Sequence, residues 1–380
     1  MKILFLSHDP FLPSRSGQRL RTLALRDALA SRHRVEVLVP GGSGEVDDGN
    51  CPRRAGDRLR MAGALLTGRS LWRARFRDPK VVGSIERMLE GDFDLVVCAG
   101  LPSAFCLPSG VPMPPVWIDE QNVEWRILER AAGLRGGLRA PAIRREARLL
   151  RAVEEQAVRG ASMATACSLE DAGIIGAGQV LPNASGALPL GFRKDPRSAS
   201  MVFTGTLCWG PNIDAALWMA REIMPRIRAS LPEARLRLVG REPAAALRAL
   251  DGVDGVELVG EVPSVWDELS RASLAVAPIR MGSGTRIKIL EASAAGVPTV
   301  STSIGAEGLD FRAGVDLELA DDPESFASAC VGLLRDRDRA QAMGARAAEV
   351  CARLYGPEGF ARRALELAEI AISKGTPAAR

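Results

Sequence analysis

Short aliphatic runs alternate with helical patterns along the whole of this 380-residue chain, and the alternation restarts once, near Met201. That order marks parallel sheets with crossover helices, because a strand covered on both faces reads as an unbroken apolar run. In the first half the candidate strands are Lys2–Ser7, Arg34–Val39, Phe93–Ala99, Val116–Asp119, Ser162–Ala166 and Gln179–Leu181. Between the first two, Gln18–Ser31 puts Leu20, Leu23, Ala24, Ala28 and Leu29 on one helix face. From Met201 follow MVFTG, a helix over Asn212–Ser230, RLRLVG, a short helix near Ala244–Leu250, VELVG, a helix near Val265–Ala272, and LAVAPI. Then come a helix over Thr285–Ala295, PTVSTS, DLEL and a helix over Ser325–Arg335.

The expectation is an α/β chain of two Rossmann-like, doubly wound domains facing a central cleft, over residues 1–190 and 197–355. Pro182–Ser200, with Pro182, Gly186, Pro189, Gly191 and Pro196, has linker composition. A last helix over 358–374 is expected to pack back on the first domain. In such folds ligands bind at the carboxyl ends of the strands, so the chemistry belongs in strand-to-helix turns of both halves.

Charge narrows the partners. The net charge is +4, yet residues 1–190 carry 26 Lys and Arg against 21 Asp and Glu, and residues 53–87 alone hold ten basic against three acidic side chains. An anionic lipid or phosphate partner suits that stretch. Aromatics at 4% are too scarce for a protein that stacks nucleic-acid bases. Seven cysteines are dispersed without a C-x-x-C, several in apolar runs such as those of Cys98 and Cys167, which reads as reduced buried thiols in a cytoplasmic protein. MKILFLSHDPF meets Asp9 too soon for a signal peptide and reads as a buried strand. No run approaches the roughly 18 apolar residues that span a membrane.

The most informative stretch is Pro278–Pro298, PIRMGSGTRIKILEASAAGVP. A strand ends at Ile279, a loop with Gly282, Ser283 and Gly284 follows, and a helix is expected to open near Thr285 with Arg286, Lys288 and Glu291 in its first two turns. Glycines allow close backbone approach, the free N–H groups and the dipole favour an anion, and two cations complete a diphosphate site. Glu291 is placed to accept from ribose hydroxyls. A plain turn followed by exposed helix charges is the alternative.

Gly282–Val300 is similar at nearly every position to GSGTRxKxLEAMAxGxPVV, the pattern of the retaining GT-B-fold glycosyltransferases of family 4, also called glycosyl transferases group 1. The resemblance implies that Glu291, second member of the family's Glu-x7-Glu pair, holds the donor ribose, and that the loop, Arg286 and Lys288 hold the diphosphate. The first Glu of the pair falls at Ser283, a departure that removes one contact to the donor sugar. FTGTLCWGPNIDAALWM (203–219) resembles the opening of the donor domain, with Gly205 beneath sugar and diphosphate. LVG at 238–240 and LVGEVPSVWDELSRA at 258–272 resemble the strand exits that read the base, from Gly260 to Val262.

In the other half HDPFLPSRSGQRLR (8–21) resembles the family's first glycine loop, so Gly17 is expected to approach the donor phosphate, with Arg15 and Arg19 as helpers. The alternative is a loop with solvated arginines. His8 ends the first strand, where a histidine is more often packed than catalytic. VWIDEQNVEWRILER (116–130) resembles the family's DEHNVE segment with Gln121 in place of histidine. Asp119, Glu120 and Gln121 are the polar candidates for sugar or acceptor, although a capping role for Asp119 or Asn122 fits equally.

The resemblance therefore implies transfer of a sugar from a nucleotide-diphosphate sugar to a saccharide or lipid-linked acceptor. Retention follows from front-face attack, with the leaving phosphate taking the acceptor's proton. Arg286, Lys288 and the helix start stabilise the departing charge in place of a divalent metal, so no metal and no cofactor is expected. Cell-surface polysaccharide or glycoconjugate synthesis, and peripheral contact with the inner face of the membrane through residues 53–87, follow from the same reading. A small-molecule aglycone as acceptor and a nucleotide-sugar epimerase or hydrolase are the alternatives. A dinucleotide oxidoreductase is disfavoured, since no G-x-G-x-x-G follows the first strand.

Overall fold

The computed structural model describes residues 1–8, 16–39, 55–135, 139–196 and 199–375. The first sheet comprises β1 (Lys2–Ser7), β2 (Arg34–Leu38), β3 (Leu95–Ala99), β4 (Val116–Asp119), β5 (Met163–Ala166) and β6 (Gln179–Val180), in the order β2-β1-β3-β4-β5-β6. The second comprises β7 (Ser200–Thr204), β8 (Arg235–Val239), β9 (Val256–Gly260), β10 (Leu274–Ala277), β11 (Thr299–Ser301) and β12 (Glu318–Leu319), in the order β12-β11-β10-β7-β8-β9. All pairings within both sheets are parallel. The strand order reverses beside β1 in one sheet and beside β7 in the other, and a crevice opens at each reversal.

Burial explains the apolar runs. Ile3, Leu4 and Phe5 of β1 and Leu95, Val96 and Val97 of β3 are fully buried, and so are Met201 and Phe203 of β7. The chain then returns to its beginning. Phe360, Ala364, Leu367 and Ala371 of the helix Pro357–Ser373 share a core with Ile3, Phe5, Leu25 and Leu29, so the C-terminal helix belongs physically to the first sheet.

Three boundaries differ from the sequence expectation for local reasons. β3 starts at Leu95 because the Asp94 carboxylate is turned to the backbone N–H of Lys2, 2.7 Å away. The helix expected over Asn212–Ser230 is continuous but contains a π segment at Met219–Ile223, directly before Pro225, whose ring and missing N–H cannot continue a regular α ladder. The helix after β10 starts at Ile287 rather than Thr285, and no side chain caps it.

Candidate functional site

The two crevices merge into one cleft of about 1480 Å³ lined from both halves. Its C-terminal wall is built from the exits of β7 and β10, which flank the reversal in strand order. Gly205 follows β7 at φ +150°, and a Cβ there would lie 2.7 Å from Asn212 Nδ2 and 3.1 Å from Lys288 Nζ, so only glycine fits. Lys288 Nζ donates to Asn212 Oδ1 at 2.9 Å and stands 3.8 Å from the Phe203 ring centroid. Burial, and then the neighbouring Arg286, push its pKa well below the ordinary lysine value, against the pull of Glu291.

Arg286 is folded back over its own loop. Its Nη1 donates to the carbonyls of Ser283 and Gly284, while Nε and Nη2 are buried without a partner. A Cβ at Gly282 (φ +142°) would sit 2.7 Å from Nη2, so this glycine makes room for the guanidinium. Burial lowers the Arg286 pKa to about 10, and among the described residues neither Arg286 nor Lys288 forms an ion pair with a carboxylate. Glu291 closes this wall, its carboxyl raised by burial to about 7. A buried arginine and a half-buried lysine beside an uncapped helix start make a pocket shaped for an anion that is charged twice or more.

The rest of the loop faces elsewhere. Ser283 is fully buried, accepting from Val123 N (2.9 Å) and donating to Asp171 Oδ1 (3.1 Å), both in the other half. At Gly284 (φ +73°) a Cβ would collide with the Gln121 carbonyl at 2.4 Å. These two positions, expected on the donor, form the seam between the halves instead. Thr285 lies on the cleft and accepts from Asn183 Nδ2 at 2.8 Å. Arg130 spans the same seam to Glu307 (2.6 and 2.7 Å) and to the Gly282 carbonyl (2.5 Å). At the far end Glu261, Val262, Pro263 and Trp266 line the cleft. Gly260, at φ +77°, lies behind them and accepts from Gly240 N at 2.7 Å.

On the N-terminal wall Gly17 is opposite the cation pair, and its Cβ would lie 3.3 Å from Ile287 Cδ1. Ser16 caps the helix Gly17–Ala30 by accepting from Arg19 N. Arg19 is buried rather than solvated and is not on the cleft; Arg15 lies outside the described residues. His8 lines the cleft in an edge-on contact with Phe76, ring centroids 4.5 Å apart.

The two acidic candidates on this wall are turned away from the cleft. Asp119 is fully buried, bound by Arg21 Nε (2.9 Å) and Nη2 (2.6 Å) and by Thr165 Oγ1 (2.8 Å). Arg21 also reaches Asn183 Oδ1 (2.8 Å) and the Leu181 carbonyl (2.9 Å), tying four segments together. Glu120 is 2% exposed, and burial followed by the nearby Glu154, Glu124 and Asp119 drives its pKa well above the ordinary value. Gln121 does line the cleft, its Nε2 donating to Thr22 Oγ1 at 3.1 Å. Two residues not singled out from sequence join it. Asn183 links Arg21 to Thr285, and Glu124 stands on the wall as the first residue of its helix. Only the long separation in sequence hides Asn183, whereas Glu124 was visible as the last letter of the DEQNVE segment.

Two members of the basic run serve the fold. Arg60 pairs with Asp57 (2.5 Å) and donates to the Ala74 and Arg75 carbonyls, and Arg77 donates to those of Phe105 and Leu107. Arg58, Arg69 and Arg73 remain exposed; Arg53 and Arg54 lie outside the described residues. Two Asp-x-Asp triplets occur, at Asp92–Asp94 and Asp336–Asp338, but Asp94 is turned to Lys2 N and Asp336 to Arg339 N, away from the cleft. Among the described residues no three His, Cys, Asp or Glu side chains converge as a metal site, and no helix is long and apolar enough to cross a membrane.

Two parallel sheets closing on one cleft define a GT-B fold, and solved structures agree over nearly the whole chain. Sucrose-phosphate synthase from Thermosynechococcus elongatus superposes with a TM-score of 0.70 at 16% identity, covering 98% of this chain and 99% of that one. Anabaena HepE in complex with UDP and glucose gives 0.64 at 16% identity, covering 97% and 99%. Residues 198–336 match the family Glycosyl transferases group 1. Among curated proteins, an exopolysaccharide phosphotransferase of Streptomyces coelicolor is 32% identical over 181 residues, 44% of this chain and 18% of that protein. An uncharacterized 44.6 kDa protein in the cps region of Klebsiella pneumoniae is 26% identical over 145 residues, 35% of this chain and 36% of that protein. The matched regions span well under half the length of these curated relatives.

Proposed function

We propose that the protein is a retaining glycosyltransferase that moves a sugar from a nucleotide-diphosphate sugar to a saccharide or lipid-linked acceptor, without a metal, in the synthesis of a cell-surface polysaccharide or glycoconjugate. The observation that carries the reading is the pair Arg286 and Lys288, one buried and one half-buried, which have no ion-pair partner among the described residues where both halves face the cleft. A buried cation without a partner costs stability, so it is best explained by an anion that arrives with the substrate.

As the bond from the anomeric carbon to the leaving phosphate stretches, negative charge grows on the diphosphate and the sugar becomes cation-like. Arg286 and Lys288 meet that growing charge, so their effect on the transition state exceeds their effect on the ground state. Glu291, when ionised, accepts from the ribose hydroxyls. With attack on the face the leaving group vacates, the acceptor hydroxyl loses its proton to the departing phosphate oxygen, and the configuration is retained.

HepE, described with UDP and glucose, makes UDP-sugars the first donors to try. The test is a one-dimensional proton NMR spectrum of the product made in excess EDTA. The donor's anomeric configuration should persist and the rate should be unchanged. An inverted anomeric proton, or an activity abolished by EDTA and restored by Mg²⁺, would sink the reading.

The lipid-linked acceptor is favoured by the surface of the helix Ala55–Leu66. Leu59, Leu65 and Leu66 are 77%, 60% and 88% exposed there, close in sequence to the exposed Arg58, Arg69 and Arg73. Apolar side chains among cations suit an anionic leaflet, each basic residue contributing about 1 kcal/mol near the surface. Liposome co-sedimentation should increase with anionic lipid and fall with salt. Equal, negligible pelleting with neutral and anionic vesicles would favour a soluble acceptor.

A further inference from the structure

The N-terminal wall carries a feature that phosphate and sugar binding leave unused. The helix Glu124–Arg135 turns Glu124, Ile127, Leu128 and Ala131 toward the cleft, the i, i+3, i+4, i+7 spacing of one helix face. Ile143, Trp72 and Phe76 line the same end of the cleft from two other helices. Ile127, Leu128, Ala131, Ile143 and Trp72 remain half-exposed, so this apolar bed lies open in the cavity. The surface proposed to receive the nucleotide base, around Val262, lies in the opposite half, so on that reading the bed is separate from the donor.

One end of the bed is polar and touches the donor loop. Asn122 Oδ1 lies 2.9 Å from where a Gly284 Cβ would stand, and Asn122 Nδ2 donates to Glu124 Oε1 at 3.3 Å. The wall thus runs from donor loop through an amide and a carboxylate to aliphatic and aromatic carbon.

We infer that the acceptor is an amphiphile whose hydroxyl is received between Asn122 and Glu124 and whose apolar group enters the cleft to lie on Ile127, Leu128, Ala131 and Trp72. This rests on the glycosyl-transfer reading and narrows it: a free hydrophilic saccharide would leave the bed wet. The apolar group belongs either to a membrane lipid or to a soluble aglycone, which share this chemistry.

Calorimetry with methyl β-D-glucopyranoside and n-octyl β-D-glucopyranoside, kept below its micelle concentration, tests the inference on the full chain with and without UDP. The octyl glucoside should bind at least tenfold more tightly, and Leu128→Asn should reduce that ratio below threefold while UDP binding, which reports an intact fold, stays unchanged. Equal binding of the two glucosides, or a ratio untouched in both Leu128→Asn and Ile127→Asn, overturns it. Failure to bind UDP with the octyl preference intact breaks the transferase reading alone. Competition by a glucosyl-diacylglycerol in vesicles assigns the apolar group to a lipid, and absence of competition assigns it to a soluble aglycone.

Discussion

The two walls of the cleft handle charge in opposite ways. On the C-terminal wall Arg286 is buried and Lys288 half-buried, no carboxylate among the described residues pairs with either, and desolvation pulls their pKa values down. On the N-terminal wall the carboxylates of Asp119 and Glu154 are answered from within, by Arg21 and by the N–H groups of Glu124 and Trp125, while Glu120, buried among other acids, has its pKa raised. A protein keeps an uncompensated charge where a ligand will complete it, and pairs the others. On the proposed function, the same residue types therefore serve substrate on one wall and architecture on the other.

The sharpest break of that comparison is Asp119→Ala. Removing the carboxylate strands a buried guanidinium, and the loss should be about 3–5 kcal/mol of folding stability. Denaturant melts measure it. If instead the variant keeps its stability and loses only sugar affinity, Asp119 contacts substrate and the contrast between the walls collapses.

Arg286→Ala and Lys288→Ala should behave the other way round. Loss of a group that stabilises developing charge lowers kcat by about a hundredfold to a thousandfold. Because burial is what lowers both pKa values, the unliganded variants should melt no earlier than the parent. Wild-type turnover in both would remove the cations from the mechanism, and a large fall in melting temperature would make them structural.

These contrasts explain which parts of the site were legible in the sequence. The clustering of Gly282, Arg286, Lys288 and Glu291 could be read because they are local, falling within ten residues, so spacing alone brings them together. The role of Asp119 could not, since its partner Arg21 is 98 positions away, and Asn183 lies 162 positions from Arg21. Local spacing also misassigned Ser283 and Gly284. They sit within the loop, but the halves meet against them, a contact set by Val123 and Asp171 from the other sheet. The doubly wound fold itself was legible because parallel strands buried on both faces leave continuous apolar runs.

Glu291 sharpens the donor side through pH. Its carboxyl is raised by burial to about 7, and the proposed hold on the ribose is by the ionised form, so on that proposal UDP affinity should fall as pH drops from 8 to 6. Lys288 faces it and stays the opposing influence. The phosphate titrates in this range too, so the decisive quantity is the difference between the parent and Glu291→Gln. The variant should bind more weakly at pH 8 and lose most of the pH dependence; identical profiles would mean that Glu291 does not hold the nucleotide.

The last contrast lies under the N-terminal wall. Glu120 is buried beside Glu154, Glu124 and Asp119, and its folded pKa is raised well above the ordinary value. An acid raised by folding holds a proton that the unfolded chain has already released, so its contribution to stability declines as pH climbs from the unfolded value toward the folded one. A neutral amide in its place has no charge to suppress. Glu120→Gln should therefore match the parent near pH 5 and exceed it near pH 8, the gap widening by about 1 kcal/mol per pH step between the unfolded and folded values. Its donor affinity should not change, because Glu120 does not line the cleft. A variant less stable at pH 8 would mean that Glu120 is ionised and paired in the folded protein, a structural ion like Asp119 rather than a suppressed charge.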